Sequence, residues 1–125
     1  MKQIIISKNA PEPIGPYNQA IKINGMLFIS GQIAINPLNG NMVTADIVAE
    51  TKQVMNNLNA ILSEAGMDFS HVVKSSIFVK DLNNFATINK VYSEYFPANA
   101  PARETVEVSR LPKDANVEIS CIAIQ

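Results

Sequence analysis

From about Asp46 to Ala65, the residues Ile47, Thr51, Val54, Met55, Leu58, Ile61, Leu62 and Ala65 recur at the spacing of one helical face. No other segment restricts the fold as much. A stripe of this length needs a surface to cover, and another helix or a sheet is what supplies one. Asp46 stands at the predicted start, where its charge complements the helix dipole. Gly66 stands where a glycine in the left-handed conformation ends a helix.

Strand-like segments flank this helix on both sides. Residues 2–6 form a short apolar run that reads as an edge or opening strand. Pro11, Pro13 and Pro16 then impose a loop, since each fixes φ and removes a backbone donor. Tyr17 to Ile23 alternates, which predicts a strand with Tyr17, Gln19, Ile21 and Ile23 on one face. Asn24-Gly25 is the pair that best tolerates positive φ at both centres of a tight hairpin. Met26 to Ser30 returns as a strand, Gly31-Gln32 interrupts it, and Ile33-Ala34-Ile35 continues.

Beyond the helix, Val72 to Lys80 is rich in β-branched residues and predicts a strand. A second helix is expected over about Phe85 to Phe96, with Phe85, Ile88, Val91, Tyr92 and Tyr95 on its inner side and Pro97 and Pro101 after it. Two last strands, Arg103–Val108 and Val117–Ile124, are joined by residues 109–116. This order predicts an α+β fold in which two helices cover one face of a mixed sheet. With no repeat or linker visible, residues 1–125 read as one domain. The other face of the sheet then needs a partner. In a chain this short a second copy fits, and any site would lie between copies.

Composition narrows the chemistry. Hydrophobic residues at 47% support a core, and the net charge of −1, with Lys and Arg scattered, offers no basic stripe for nucleic acid. No apolar run approaches the ~20 residues of a membrane span, and the N-terminal run is too short for a signal peptide. A soluble cytoplasmic protein is expected. Cys121 is the only cysteine and His71 the only histidine, so a zinc site of thiolates and imidazoles has too few ligands. Glycines at 15, 25, 31, 40 and 66 draw neither a P-loop nor a dinucleotide fingerprint. No metal or cofactor is indicated. Cys121 alternates with Val117, Ile119 and Ala123 and reads as buried and inert, and His71 as solvated.

Four segments in order resemble the RidA (YjgF-type) family of reactive-intermediate deaminases. They are Ile14-Gly15-Pro16-Tyr17-Asn18-Gln19-Ala20, Phe28-Ile29-Ser30-Gly31-Gln32-Ile33, residues 79–89 from Val79 to Asn89, and Pro101 to Val108 with Leu111-Pro112 and Val117-Glu118-Ile119. The resemblance implies a chorismate-mutase-like α+β fold and a homotrimer whose sheets form a central barrel, with clefts between subunits. It also implies cofactor-free hydrolysis of 2-imino acids, or their enamine tautomers, to 2-keto acids and ammonia. Two other functions stay open: a non-catalytic module binding small carboxylates, and a ribonuclease or translation inhibitor.

Within that resemblance, Arg103 is the substrate-binding arginine, suited to a carboxylate by its planar fork; the alternative is a salt bridge. Glu118 is the candidate for moving protons between water, imine and departing ammonia; the alternative is an exposed strand glutamate. Thr105 shares a strand face with Arg103 and stands where several family members carry cysteine, so a thiol contribution is lost there. Tyr17 belongs at the cleft or in packing. Gly31 either lets a ligand approach the backbone or marks a bulge. Asn89 lies near the cleft or faces solvent.

Overall fold

Capping, rather than the apolar stripe alone, sets the limits of the long helix in the computed structural model, which describes residues 1–125. Helix α1 spans Ile47–Glu64, and the Asp46 side chain accepts the Ala49 N–H at 2.7 Å. A cap of this kind contributes about 1 kcal/mol. At the other end Gly66 adopts φ +75°, the Gly66 N–H reaches Ser63 O at 3.0 Å, and the Met67 N–H reaches Leu62 O at 2.9 Å. That pairing is a Schellman motif, and only the backbone angle demands glycine, because a Cβ there would meet nothing.

Six strands form one sheet in the order β1-β2-β3-β6-β4-β5. They are β1 Gln3–Ile5, β2 Ala20–Ile23, β3 Met26–Gln32, β4 Val72–Val79, β5 Ala102–Glu107 and β6 Val117–Ile124. Only β4 and β5 run parallel. Helix α2 spans Phe85–Ser93 and, with α1, packs on one face of the sheet. Val54, Met55, Leu58, Ile61 and Leu62 meet Leu27, Ile77, Val117, Ile119 and Ala123 in one continuous core. Apart from Ala123, each of these buried side chains contributes about 1.5–3 kcal/mol. No helix is long and apolar enough to cross a membrane.

Asn24 and Gly25 take φ 52° and 78° between β2 and β3, the tight hairpin their sequence predicts. Strand β3 runs through Gly31-Gln32 and ends there, so Ile33-Ala34-Ile35 does not continue it and keeps only a lone bridge from Ile35 to Met42. Two further limits shift by more than one residue. Strand β2 starts at Ala20, not Tyr17, because Gln19 turns inward to serve the proline loop. Its Oε1 accepts the Ser7 N–H at 2.6 Å, and its Nε2 donates to the carbonyls of Ser7, Ala10 and Pro11. Helix α2 ends at Ser93, not Phe96: the N–H groups of residues 94–96 bond three residues back, tightening the last turn ahead of Pro97.

The other face of the sheet is bare. Register places Ile4, Ile21, Phe28 and Ile122 in one row across four strands on that face. Ile4 and Phe28 are 48% and 40% exposed, so this row is apolar and uncovered within the chain.

Candidate functional site

The sheet divides the six residues singled out in the sequence into two groups. Arg103 and Thr105 pair with Ser75 and Ile77 of β4, both buried beneath the helices, so these two side chains face α2. Glu118 pairs with Phe78, one residue out of phase with Ile77, and faces the uncovered side. Within one chain Arg103 and Glu118 therefore lie on opposite faces.

On the helix side, the Arg103 guanidinium carbon lies 5.1 Å from the Tyr92 ring centroid and 5.7 Å from that of Phe85. Asn89 lines the same groove, with Ala86, Tyr92 and Phe96. The ion pairs of the chain are Lys74–Glu104 and Lys80–Asp114. Arg103 joins neither of them, so no carboxylate of its own chain pairs with it. Thr105 Oγ1 is buried beside this groove with no hydrogen-bond partner. Replacing Thr105 by valine, which keeps the shape, is expected to raise stability by about 1 kcal/mol in denaturant unfolding. A loss of stability would mean that the hydroxyl finds a partner in the assembled protein.

On the uncovered side, β3 bulges at Ser30-Gly31, where its register against β6 shifts between Ile29 and Gln32. The bulge presses the bare Cα of Gly31 against Glu118. A Cβ at position 31 would lie 2.8 Å from Glu118 Cδ and Oε2. Gly31 is thus at a bulge and also makes room, for a carboxyl group of the chain itself. Tyr17 closes the same pocket with Ile14 and Pro112, and its hydroxyl accepts the Ile14 N–H at 3.3 Å. Because the atoms that a Cβ would strike are the end of a flexible side chain, Gly31→Ala should fold normally and displace Glu118. A displacement near 1 Å typically costs about 10²-fold in rate, to be read as kcat at unchanged melting temperature.

Electrostatics single out Glu118. Hydrogen bonds from Ser70, Lys74 and Lys80 hold the carboxyl groups of Asp68, Glu104 and Asp114 below the usual range, whereas burial pushes that of Glu118 up. A carboxyl group raised by desolvation in a pocket is suited to give as well as take a proton. The Cys121 thiol, buried and pushed up to about 11, is no nucleophile at neutral pH. The His71 ring accepts the Asp68 N–H through Nδ1 at 3.0 Å and caps a turn. No three His, Cys, Asp or Glu residues stand together to hold a metal ion.

The sequence reading missed Glu50. It is 1% exposed, on the first turn of α1, and its two oxygens accept the Asn116 N–H at 2.7 Å and the Asn116 Nδ2–H at 2.8 Å. Asn116 lies two residues before Glu118, so this clasp fixes the start of β6. The loop that it closes carries Lys113 and Asp114 at φ 54° and 55°, a left-handed conformation that costs both residues. A signal existed: position 50 lies three residues after Ile47 and four before Val54, on the apolar stripe itself.

The sequence matches the family described as Endoribonuclease L-PSP over residues 7–125. It is 53% identical over 123 residues to a RutC family protein of Pyrococcus horikoshii, covering 98% of each chain. It is 41% identical to the 2-iminobutanoate/2-iminopropanoate deaminase of Mus musculus, covering 100% of this chain and 93% of the relative. Among solved structures, E. coli TdcF with bound serine superposes with a TM-score of 0.95 at 40% identity, covering 98% of both chains.

Proposed function

The chain belongs to the Endoribonuclease L-PSP (YjgF/RidA) family, and from that premise we propose that it hydrolyses 2-imino acids such as 2-iminobutanoate and 2-iminopropanoate to 2-keto acids and ammonia. The observation that carries this reading is the raised, desolvated carboxyl group of Glu118, packed against Gly31. Two relatives support the substrate class: the mouse protein is named for these two imino acids, and TdcF holds serine, an α-amino carboxylate.

In the proposed reaction Arg103 takes the substrate carboxylate in two parallel N–H···O bonds. Water adds to the imine carbon while the C=N electron pair moves to nitrogen, and Glu118 accepts the proton that water gives up. Glu118 then returns a proton to nitrogen, the C–N bond breaks, and ammonia leaves as the keto oxygen forms. No oxidant or cofactor enters this balance.

Because Arg103 and Glu118 occupy opposite faces of one sheet, a site using both takes Arg103 from one copy and Glu118 from another. Tyr17 and Gly31 accompany Glu118, and Asn89 and Thr105 accompany Arg103. The uncovered row Ile4-Ile21-Phe28-Ile122 supports self-association through that face. The assembly proposed is a homotrimer with the sheets inside, in the cytoplasm, with neither nucleic acid nor membrane as partner.

The deciding experiment follows release of 2-oxobutanoate from freshly generated 2-iminobutanoate, with and without the purified protein. Acceleration over the spontaneous rate is the expected result. No acceleration together with tight 2-oxobutanoate binding would instead favour the non-catalytic carboxylate module. The family's description points to RNA, but eleven Asp and Glu against ten Lys and Arg leave no basic surplus to hold phosphates. RNA cleavage abolished by Glu118→Ala would reverse that judgement.

A further inference from the structure

Arg103 lies against two aromatic rings of α2. Phe85 and Tyr92 stand seven residues apart on α2, two turns or about 10 Å along the axis. The guanidinium carbon lies 5.7 Å from one ring centroid and 5.1 Å from the other, within reach of both rings. Both contacts are of the cation–π kind, and an aromatic ring attracts a guanidinium through its π face.

The two rings are fixed differently. Tyr92 is 5% exposed, its hydroxyl donates to Ser75 Oγ at 2.9 Å, and its ring packs against Phe96 at 4.7 Å. Ser75 is the residue paired with Arg103 across the β4–β5 ladder, so the Tyr92 hydroxyl is tied to the strand beneath the arginine it covers. Phe85 is 39% exposed. Tyr92 is the fixed jaw and Phe85 the open one.

We propose that Phe85 and Tyr92 are positioning residues for the carboxylate anchor: they clamp the two faces of the Arg103 guanidinium and leave its N–H edge to the ligand. An arginine side chain otherwise loses rotamer freedom when it binds. The clamp removes that freedom before the ligand arrives, which is preorganisation. The inference rests on the reading of Arg103 as the anchor, and it predicts an effect on affinity rather than on the proton-transfer step.

The test uses Phe85→Leu, which keeps an apolar side chain and removes the π face, and Phe85→Tyr, which keeps the face. Phe85 is too exposed for either change to threaten folding. The chain has only two arginines, Arg103 and Arg110, so the Nε–H region of a ¹⁵N spectrum holds two side-chain signals, assigned by loss of one in Arg103→Lys. In the ligand-free protein, the Arg103 signal should be displaced by ring currents, move toward the Arg110 position in Phe85→Leu and return in Phe85→Tyr. With substrate, Phe85→Leu should raise KM, and the Kd for 2-oxobutanoate, about fivefold with kcat little changed, and Phe85→Tyr should restore both.

An Arg103 signal that is identical in wild type and Phe85→Leu would overturn the clamp. So would equal KM values for the leucine and tyrosine variants, since packing alone would then account for Phe85. Failure of the wild type to bind 2-oxobutanoate would instead defeat the anchor reading. The ligand-free spectrum would still decide whether the clamp exists.

Discussion

Glu118→Gln is expected to lose about 10²–10⁴-fold in imine hydrolysis while folding at least as well as the wild type at neutral pH. The two halves of this result have one cause. Burial raises the Glu118 carboxyl above its ordinary range, so between the unfolded and folded pKa values the folded chain binds the extra proton. Stability contributed by this group is therefore greatest in acid and falls as pH rises through the folded pKa. At neutral pH the buried ionised form is a cost that the neutral amide avoids. The gain is small, because the group is only half-buried and solvent screens it. Denaturant unfolding of both proteins at acid and neutral pH measures it, and the gain should vanish in acid. The acidic limb of the wild-type kcat/KM profile should lie above the range of an ordinary glutamate and disappear in Glu118→Gln. A variant that kept its activity would remove Glu118 from the chemistry.

Arg103→Ala is the second large effect. Two charge-assisted bonds to a carboxylate contribute about 1.5–3 kcal/mol each, so kcat/KM should fall about 10²–10⁴-fold, mostly through KM. Arg103→Lys keeps the charge but loses the planar fork that bonds a carboxylate twice. It should recover only a minor part. Steady-state kinetics on 2-iminobutanoate, with light scattering to check that the assembly is intact, separates loss of anchoring from loss of structure. Full activity in Arg103→Lys would mean that charge alone suffices and that the fork is irrelevant.

What the sequence made legible was local. The α1 stripe, Asp46 at its start, the Gly66 stop and the Asn24-Gly25 turn are each written within a few residues, and all four stand in the structure. Strand β6 also has its predicted limits, Val117–Ile124, because alternation is a local signal. What was not legible depended on partners far along the chain. Gln19 read as a strand residue because nothing near it shows that the carbonyls of Ser7, Ala10 and Pro11 need its amide. Likewise Arg103 and Glu118 each sit on a plausible strand, but the face each occupies is fixed by its register against β4. That pairing spans tens of residues, and a slip of one position would exchange the faces. Glu50 lay in view on the apolar stripe, yet its partner Asn116 is 66 residues away.

The division of the sheet into an Arg103 face and a Glu118 face has a genetic consequence. If each site in the proposed trimer joins the arginine of one subunit to the glutamate of the next, Arg103→Ala and Glu118→Gln damage different halves of it. A mixed ring then contains junctions where an intact arginine meets an intact glutamate. With random mixing of equal amounts, roughly one quarter of the junctions are whole. Two proteins that are each inactive would thus complement one another when unfolded and refolded together, whereas either refolded alone would stay silent.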